Sequence, residues 1–289
     1  MHPPRRIGLS GLLLVGLLLP AAAAAAAAGP RSLELRYDVY TAGLPTLSLR
    51  LDIAFTGERY RIVSHMETQG VIGFLFPWRH RGETEGTVVD GELRPGHYRA
   101  TSDASGTVRS ARLAYRGDGT VTATAEPARE EGRDPVPVAM TRGAVDILTA
   151  VLRVTRQIEA SGRCEGEIPV FDGLRRYDLV FSDGGADRSN AMTVSAVRRC
   201  QASMRRLAGF LKTLSPWDDG DDARAAAIAV APLGVGLPQV PVRLDLATPI
   251  GMAYAELAGV TVDGRALPAP GDETAVAGAR SAGPTLPRR

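Results

Sequence analysis

The stretch Leu47-Ser48-Leu49-Arg50-Leu51-Asp52-Ile53-Ala54-Phe55 places an apolar side chain at every second position. A period of two is typical of a β-strand that buries one face and exposes the other. A Gly57-Glu58 turn follows, and Tyr60, Ile62 and Met66 then resume the apolar face. The pattern predicts an antiparallel hairpin, because a short turn joins two runs of matching alternation.

The same period recurs over most of the chain and predicts further strands at residues 33–41, 84–89, 96–103, 108–115, 121–125, 168–181, 192–204 and within 226–262. One segment differs. Between residues 142 and 160, apolar side chains recur at helical spacing, and Gly162 follows as a stop signal. Because a sheet of about ten strands tends to curl, the sequence predicts a mainly β fold: a strongly curved antiparallel sheet or partly open β-barrel with one long helix packed against it.

The first 28 residues are typical of a secretory signal peptide. Arg5 and Arg6 precede an apolar run that extends from Ile7 to Leu19, and an alanine tract ending at Ala28 offers small-residue cleavage sites. The run is shorter than the roughly 20 residues needed to cross a bilayer, so we expect cleavage near Ala28 and a periplasmic protein without a transmembrane segment. The general secretory route and the twin-arginine route both remain open.

The remaining chain is predicted to form one β-rich domain at residues 29–265, followed by a disordered tail at 266–289 that is rich in Pro, Ala and Gly. With 44% hydrophobic and 23% charged residues the composition is that of a globular protein. Removing Arg5 and Arg6 balances basic against acidic residues, so the charge gives no reason to expect a nucleic-acid partner.

Two cysteines remain after the leader, Cys164 and Cys200. An exported chain with an even number of cysteines most simply joins them in a disulfide. Cys164 follows the predicted helix and Cys200 lies on a predicted strand, so the bridge would attach the helix to the sheet. A redox or nucleophilic role would need an activating neighbour or a C-x-x-C spacing, which the sequence does not contain.

Two segments are candidate ligand-binding sites. Arg176 and Asp178 share one face of a strand, either as ordinary strand charges or as an inward polar pair that binds an anionic headgroup, with Tyr177 on the opposite face. The second segment extends from Val71 to Trp78 and includes Phe74 and Phe76. It is either a buried turn or an apolar lip over a cavity, or a contact for a membrane or a partner protein.

Motifs for catalysis, cofactors and metals are lacking. The chain has no G-x-S-x-G, H-E-x-x-H, C-x-x-C or dinucleotide-binding glycine pattern, so we expect no cofactor. His65, His80 and His97 would have to converge to bind zinc, and the aspartates at 218, 219, 221 and 222 lack the spacing of a calcium loop. We therefore expect no metal site.

Several short motifs occur in a characteristic order. They are Leu35-Arg36-Tyr37-Asp38-Val39, Leu93-x-Pro95-x-x-Tyr98, Val170-Phe171-Asp172-Gly173-Leu174-Arg175-Arg176-Tyr177-Asp178-Leu179 between the two cysteines, and Ala247-Thr248-Pro249-Ile250-Gly251. The chain resembles the domain-of-unknown-function 3108 family of exported bacterial proteins over roughly residues 33 to 263. The resemblance implies a periplasmic β-rich protein and supplies no activity, because the family is uncharacterised.

These observations favour a non-enzymatic periplasmic protein that binds an apolar ligand, such as a lipid or an envelope precursor, or an envelope-assembly partner. Two other hypotheses stay open. One is a cell-envelope hydrolase with a dispersed carboxylate or serine site. The other is a structural interaction module whose interior is filled by side chains.

Overall fold

The structure, a computed structural model, describes residues 31–128, 132–187, 197–212, 226–234, 237–248 and 251–267. Within these ranges fourteen strands form one antiparallel sheet. The strands are β1 (Ser32–Thr41), β2 (Leu44–Thr56), β3 (Arg59–Thr68), β4 (Trp78–Val89), β5 (Glu92–Ala104), β6 (Thr107–Tyr115), β7 (Val121–Glu126), β8 (Gly166–Phe171), β9 (Arg176–Asp187), β10 (Val197–Ala208), β11 (Ala226–Pro232), β12 (Gln239–Thr248), β13 (Gly251–Val262) and β14 (Arg265–Ala266).

Three helical segments interrupt the strands. A short helix, α1 (Gly70–Leu75), connects β3 to β4, and a 3-10 helix (Val138–Thr141) follows β7. The long helix α2 (Ile147–Ser161) lies between β7 and β8 in the chain and contacts β3, β4, β5, β8 and β12. It therefore lies across one face of the sheet, which we call the inner face.

The hairpin predicted from the alternating stretch is confirmed. β2 and β3 pair in register from Thr56 opposite Arg59 onward. The apolar positions of β2, among them Leu49 and Leu51, pack around the fully buried Leu35 of β1. Alternation places this apolar set on the inner face and leaves the polar set on the outer face.

The strand order is β7-β6-β5-β4-β3-β2-β1-β13-β12-β11-β10-β9-β8, with β14 paired to β13. The two halves of the chain thus extend in opposite directions from β1. Among the described residues no backbone pairing joins β7 to β8, so the sheet is not closed. Side chains from both ends nevertheless share one buried cluster, in which Phe171 of β8 lies with Leu113 of β6 and Val121 of β7.

The predicted mainly β class, the antiparallel pairing and the single long helix are confirmed. The structure does not show a closed or strongly curled sheet, so the predicted strong curvature is not confirmed. The helix begins at Ile147 rather than near residue 142, because Asp146 caps its N-terminus. It ends at Gly162, whose φ of 68° is the left-handed conformation expected of a helix stop.

The predicted disulfide is present between Cys164 and Cys200, whose Cα atoms are 5.7 Å apart. Both cysteines are fully buried, in a cluster with Val154 and Ile158 of α2 and Phe181 of β9. Cys164 follows α2 and Cys200 lies on β10, so the bridge attaches the end of the helix to the sheet.

A buried carboxylate on the outer face holds three neighbouring strands together. Glu83 of β4 is only 2% exposed and accepts hydrogen bonds from Arg61 of β3 and Arg99 of β5. Burial opposes ionisation, but the hydrogen bonds from Arg99 and Arg61 outweigh it and lower the pKa of Glu83 to about 2. Because folding lowers this pKa, the ion pairs stabilise the protein above pH 4.5 and weaken as the pH falls toward 2.

Some predictions fall on residues outside the described ranges. These are the signal peptide at residues 1–28, the part of the predicted 192–204 strand that precedes Val197, the aspartates at 218, 219, 221 and 222, and the tail beyond residue 267. Ala266, the first residue of the predicted tail, belongs to β14.

Removing the disulfide tests its contribution to stability. The double substitution Cys164→Ala and Cys200→Ala should lower the free energy of unfolding by roughly 3 to 4 kcal/mol, because an open loop gives the unfolded chain more conformational freedom. Urea unfolding followed by circular dichroism measures the change. Adding a reductant should lower the stability of the native sequence to nearly that of the double variant. An unfolding curve of the double variant that matched that of the oxidised native sequence would contradict the expectation.

Candidate functional site

A cavity of about 550 Å³ lies between α2 and the inner face of the sheet. We call it the interior cavity. Its walls come from β1 to β5, β12, β13 and α2 and are mostly aliphatic. Among the lining residues are Leu35, Leu49, Leu51, Ile53, Ile62, Leu148, Val151, Leu152, Val240 and Ala255. The cavity can therefore accept an apolar group but offers few hydrogen-bonding partners to a polar one.

The polar groups around the interior cavity differ in how they are satisfied. The hydroxyl of Tyr37 donates to the carbonyl oxygen of Pro241 at 2.8 Å, and burial raises the pKa of this phenol. The hydroxyl of Ser64 lies beside Gly82, whose N–H donates to it at 3.2 Å. Arg156 of α2 is the exception, because its Nη1 atom is buried and has no hydrogen-bond partner.

A second pocket, of about 440 Å³, shares Met66, His80, Tyr98 and Ile147 with the interior cavity. His80 contacts the hydroxyl of Ser102, with 2.8 Å between Nδ1 and Oγ, and stacks on Trp78. Burial lowers the pKa of His80, so the imidazole at this shared wall is neutral at pH 7. The two pockets together extend the apolar interior toward a more polar end.

The start of α2 is held against the sheet by the carboxylate of Asp146, which is fully buried. One oxygen accepts from the backbone N–H of Thr149 at 2.9 Å, which is a helix N-cap. The other accepts from the hydroxyls of Thr149 at 2.8 Å, Thr84 of β4 at 3.0 Å and Tyr115 of β6 at 3.2 Å. Burial raises the pKa of Asp146, and these hydrogen bonds oppose that rise. The network fixes where α2 begins and hence one end of the cavity.

The predicted pair Arg176 and Asp178 exists, with 2.6 Å between Nη1 and Oδ1. Arg176 also donates to the carbonyl oxygen of Met140, and Asp178 also pairs with Arg205 at 2.7 Å. Burial opposes ionisation of Asp178, but hydrogen bonds from Arg176 and Arg205 prevail and lower its pKa. Neither residue lines the interior cavity or the second pocket, whereas Tyr177, on the opposite face, lines the second pocket. Binding of an anionic headgroup by the pair stays a prediction.

The Val71 to Trp78 segment divides between surface and interior. Four of its apolar residues form an exposed tip in and after α1, with exposed fractions of 72% for Val71, 85% for Phe74, 57% for Leu75 and 66% for Phe76. We call these four the apolar tip. Trp78 instead lines the second pocket. The apolar tip is too exposed to be a buried turn, and a role as a lip over a cavity or as a contact for a membrane or a partner protein stays a prediction.

The same end of the sheet carries further exposed apolar side chains. Leu44 at the start of β2 is 62% exposed, and Met252 at the start of β13 is 53% exposed. The backbone of Ala42 donates to the carbonyl oxygen of Met252, which keeps the two strand starts together. The apolar tip is thus part of a broader apolar end.

Within the described ranges, no three side chains of His, Cys, Asp and Glu come together closely enough to hold a metal ion. His65 contacts the guanidinium of Arg81 at 2.7 Å, and His80 contacts Ser102. The helices of this part of the chain also include none that is long and apolar enough to cross a membrane.

Two functional positions were missed by sequence reasoning. Asp146 stands directly before the first apolar residues of α2, and this position favours a helix N-cap. Arg156 follows Leu148 and Leu152 at four-residue spacing, so it continues the stripe that faces the cavity. Both patterns are local in the sequence. The groups that surround these two side chains, such as Thr84 and Tyr115 around Asp146, come from strands that are distant in the sequence.

A family model described as "Protein of unknown function (DUF3108)" matches residues 36–258. The chain therefore belongs to this family of uncharacterised proteins. A solved structure with a similar fold is a β-barrel-like protein of domain of unknown function DUF1849 from Brucella abortus. The two chains are 11% identical with a TM-score of 0.52, and the match covers 81% of this chain and 98% of that one. A search of curated proteins finds no match.

The Asp146 network can be tested by removing the carboxylate. Asp146→Ala should lower the free energy of unfolding by about 2 to 4 kcal/mol, because the helix loses its cap and three buried hydroxyls lose their acceptor. Urea unfolding gives the number. Asp118→Ala removes the acceptor of an exposed turn, in which Asp118 bonds Thr120, and should have a much smaller effect. If the two variants lost the same free energy of unfolding, the buried network would contribute no more to stability than an exposed turn.

Proposed function

We propose that this protein binds the apolar part of a lipid or envelope precursor in the interior cavity and acts outside the cytoplasm without catalysing a reaction. The cavity itself carries the proposal, because about 550 Å³ of mostly aliphatic space lies beneath α2. Small-molecule sites commonly measure roughly 300 to 1,000 Å³ and are lined mainly by apolar side chains. The cavity also favours a binding protein over a module whose interior is filled by side chains.

The disulfide supports the proposed location outside the cytoplasm, although it does not specify the periplasm. The buried disulfide is compatible with an oxidising compartment. We further propose that the sheet wraps α2 as a partly open barrel. The buried cluster shared by β6, β7 and β8 and the barrel-like relative support this arrangement.

The apolar tip adds a second element to the proposal. Soluble proteins seldom expose several large apolar side chains together unless the patch has a binding role. Arg79, which follows the tip, has 81% of its side chain exposed; its Nε atom lies 3.9 Å from a carboxylate oxygen of the exposed Glu67, and such a long surface ion pair leaves the guanidinium able to approach anionic lipids. We propose that the tip rests on the membrane from which the ligand is drawn.

Filling the cavity tests ligand binding. Val151 lines the cavity and is 38% exposed, so Val151→Trp should occupy space with little cost in stability. Fluorescence titration with pyrene, an uncharged apolar probe, should show affinity reduced about tenfold, which corresponds to roughly 1.4 kcal/mol. Val108→Trp makes the same change at an exposed position outside the cavity lining and should bind pyrene like the native sequence. Absence of pyrene binding, or equal binding in all three proteins, would remove the support for a ligand cavity.

Vesicle sedimentation tests the tip. The double substitution Phe74→Ser and Phe76→Ser should weaken binding to phosphatidylglycerol-containing vesicles about tenfold or more, because two large apolar side chains no longer enter the interface. The control pair Val138→Ser and Leu207→Ser alters exposed apolar residues elsewhere, on the 3-10 helix and β10. If the native protein does not sediment with the vesicles, or if the two double variants lose binding equally, the proposed membrane role of the tip is wrong.

A further inference from the structure

Arg156 combines two features at one place. Its side chain lines the interior cavity, and its Nη1 atom is buried without a hydrogen-bond partner. It is the only buried side-chain nitrogen or oxygen without a partner in the described part of the chain. This unsatisfied polar atom therefore belongs to a side chain that lines a mostly apolar cavity.

Other buried charges in the same ranges are satisfied. The guanidinium of Arg176 donates to two carbonyl oxygens and to Asp178, and the carboxylate of Asp146 accepts four hydrogen bonds. The fold thus supplies partners for the charges that it buries. Arg156 as a whole is half-buried, and its Nη1 atom is buried without a partner at a place where a ligand could supply one.

An arginine stays charged at every physiological pH, and a guanidinium taken out of water without an anion is costly. It presents several N–H donors in a plane that matches the two oxygens of a carboxylate or a phosphate. A neutral apolar ligand would leave Nη1 unsatisfied. A ligand with an anionic oxygen group beside its apolar chain would satisfy it.

We infer that the ligand is an amphipathic anion, whose carboxylate or phosphate pairs with Arg156 while its apolar chain fills the interior cavity. This inference rests on the proposed function and names its ligand class. Gln239 also lines the cavity, and its side-chain amide can donate a further hydrogen bond. Glu159 lines it too, but it is exposed, so water screens its repulsion of the anion.

Four probes with the same dodecyl chain separate the headgroup from the chain. They are dodecanoate, dodecyl phosphate, dodecanol and dodecyltrimethylammonium, each measured by displacement of pyrene from the full chain after removal of copurified lipid. The two anions should bind at least tenfold more tightly than the alcohol, and the cation should bind most weakly. The ratio between the two anions shows which headgroup, carboxylate or phosphate, is preferred.

Two variants with the same loss of charge test the residue. Arg156→Gln should reduce the affinity for dodecanoate and dodecyl phosphate about tenfold or more while changing that for dodecanol less than about twofold. Arg163→Gln removes an exposed arginine just after α2 that pairs with Glu165 and should leave all affinities unchanged. Without ligand, Arg156→Met should unfold at the same temperature as the native sequence or higher, because it removes a buried N–H group that has no acceptor. A purely structural role for Arg156 predicts a lower temperature.

The outcomes distinguish the two levels of the proposal. If dodecanol binds as tightly as the anions, and Arg156→Gln has no selective effect, the inference is overturned while the apolar cavity stands. If none of the four probes displaces pyrene, the proposed function fails and the inference fails with it. Displacement of dodecyl phosphate by equimolar inorganic phosphate would show a site for free anions and would also overturn the amphipathic assignment.

Discussion

The buried carboxylate of Asp146 joins the start of α2 to the sheet by hydrogen bonds from Thr84 and Tyr115. A carboxylate without these donors would be too costly to bury. Burial of the carboxylate therefore depends on all of these contacts together: the cap of α2 and the hydrogen bonds from β4 and β6. Because the cap fixes the position of Ile147 and Leu148, it also decides which side chains of α2 face the sheet and which face the disulfide.

The two faces of α2 have different surroundings. Val154 and Ile158 pack tightly with the cysteines and Phe181, whereas Val151 and Leu152 border open space. Native interiors are normally close-packed, and unfilled apolar volume destabilises a fold. A cavity of this size beside a helix fixed at both ends is therefore a cost that a ligand would offset. Nη1 of Arg156 in its wall, which is buried without a hydrogen-bond partner, supports the same conclusion.

Much of the fold could be predicted from local patterns. The alternation of β2 and the Gly57-Glu58 turn identify the hairpin, the apolar spacing identifies α2, and the even cysteine count identifies the bridge. The pairing of β1 with β13 could not be predicted, because its partners are more than two hundred residues apart, as Leu33 and Val262 are. Strand alternation places Arg176 and Asp178 together but does not say on which side of the sheet they lie.

The candidate site was harder to predict for the same reason. Arg156 continues the stripe of α2 residues that faces the cavity. Its significance is that no side chain of the opposite strands pairs with Nη1, and the sequence around Arg156 cannot reveal that a partner is missing. Asp146 has the position of a cap, yet Thr84 lies 62 residues away. Sequence reasoning therefore located the helix and the strands but missed Asp146 and Arg156, whose surroundings come from distant parts of the chain.

Both ends of α2 are attached, the first by Asp146 and the last by the bridge from Cys164 to Cys200. A helix held in this way cannot swing outward like a door. A ligand of the kind that we propose would have to enter beside the helix, where Val151 and Glu159 line the cavity and are accessible to solvent. Entry of such a ligand would then require rotation of these side chains, whereas the backbone of the helix can stay in place.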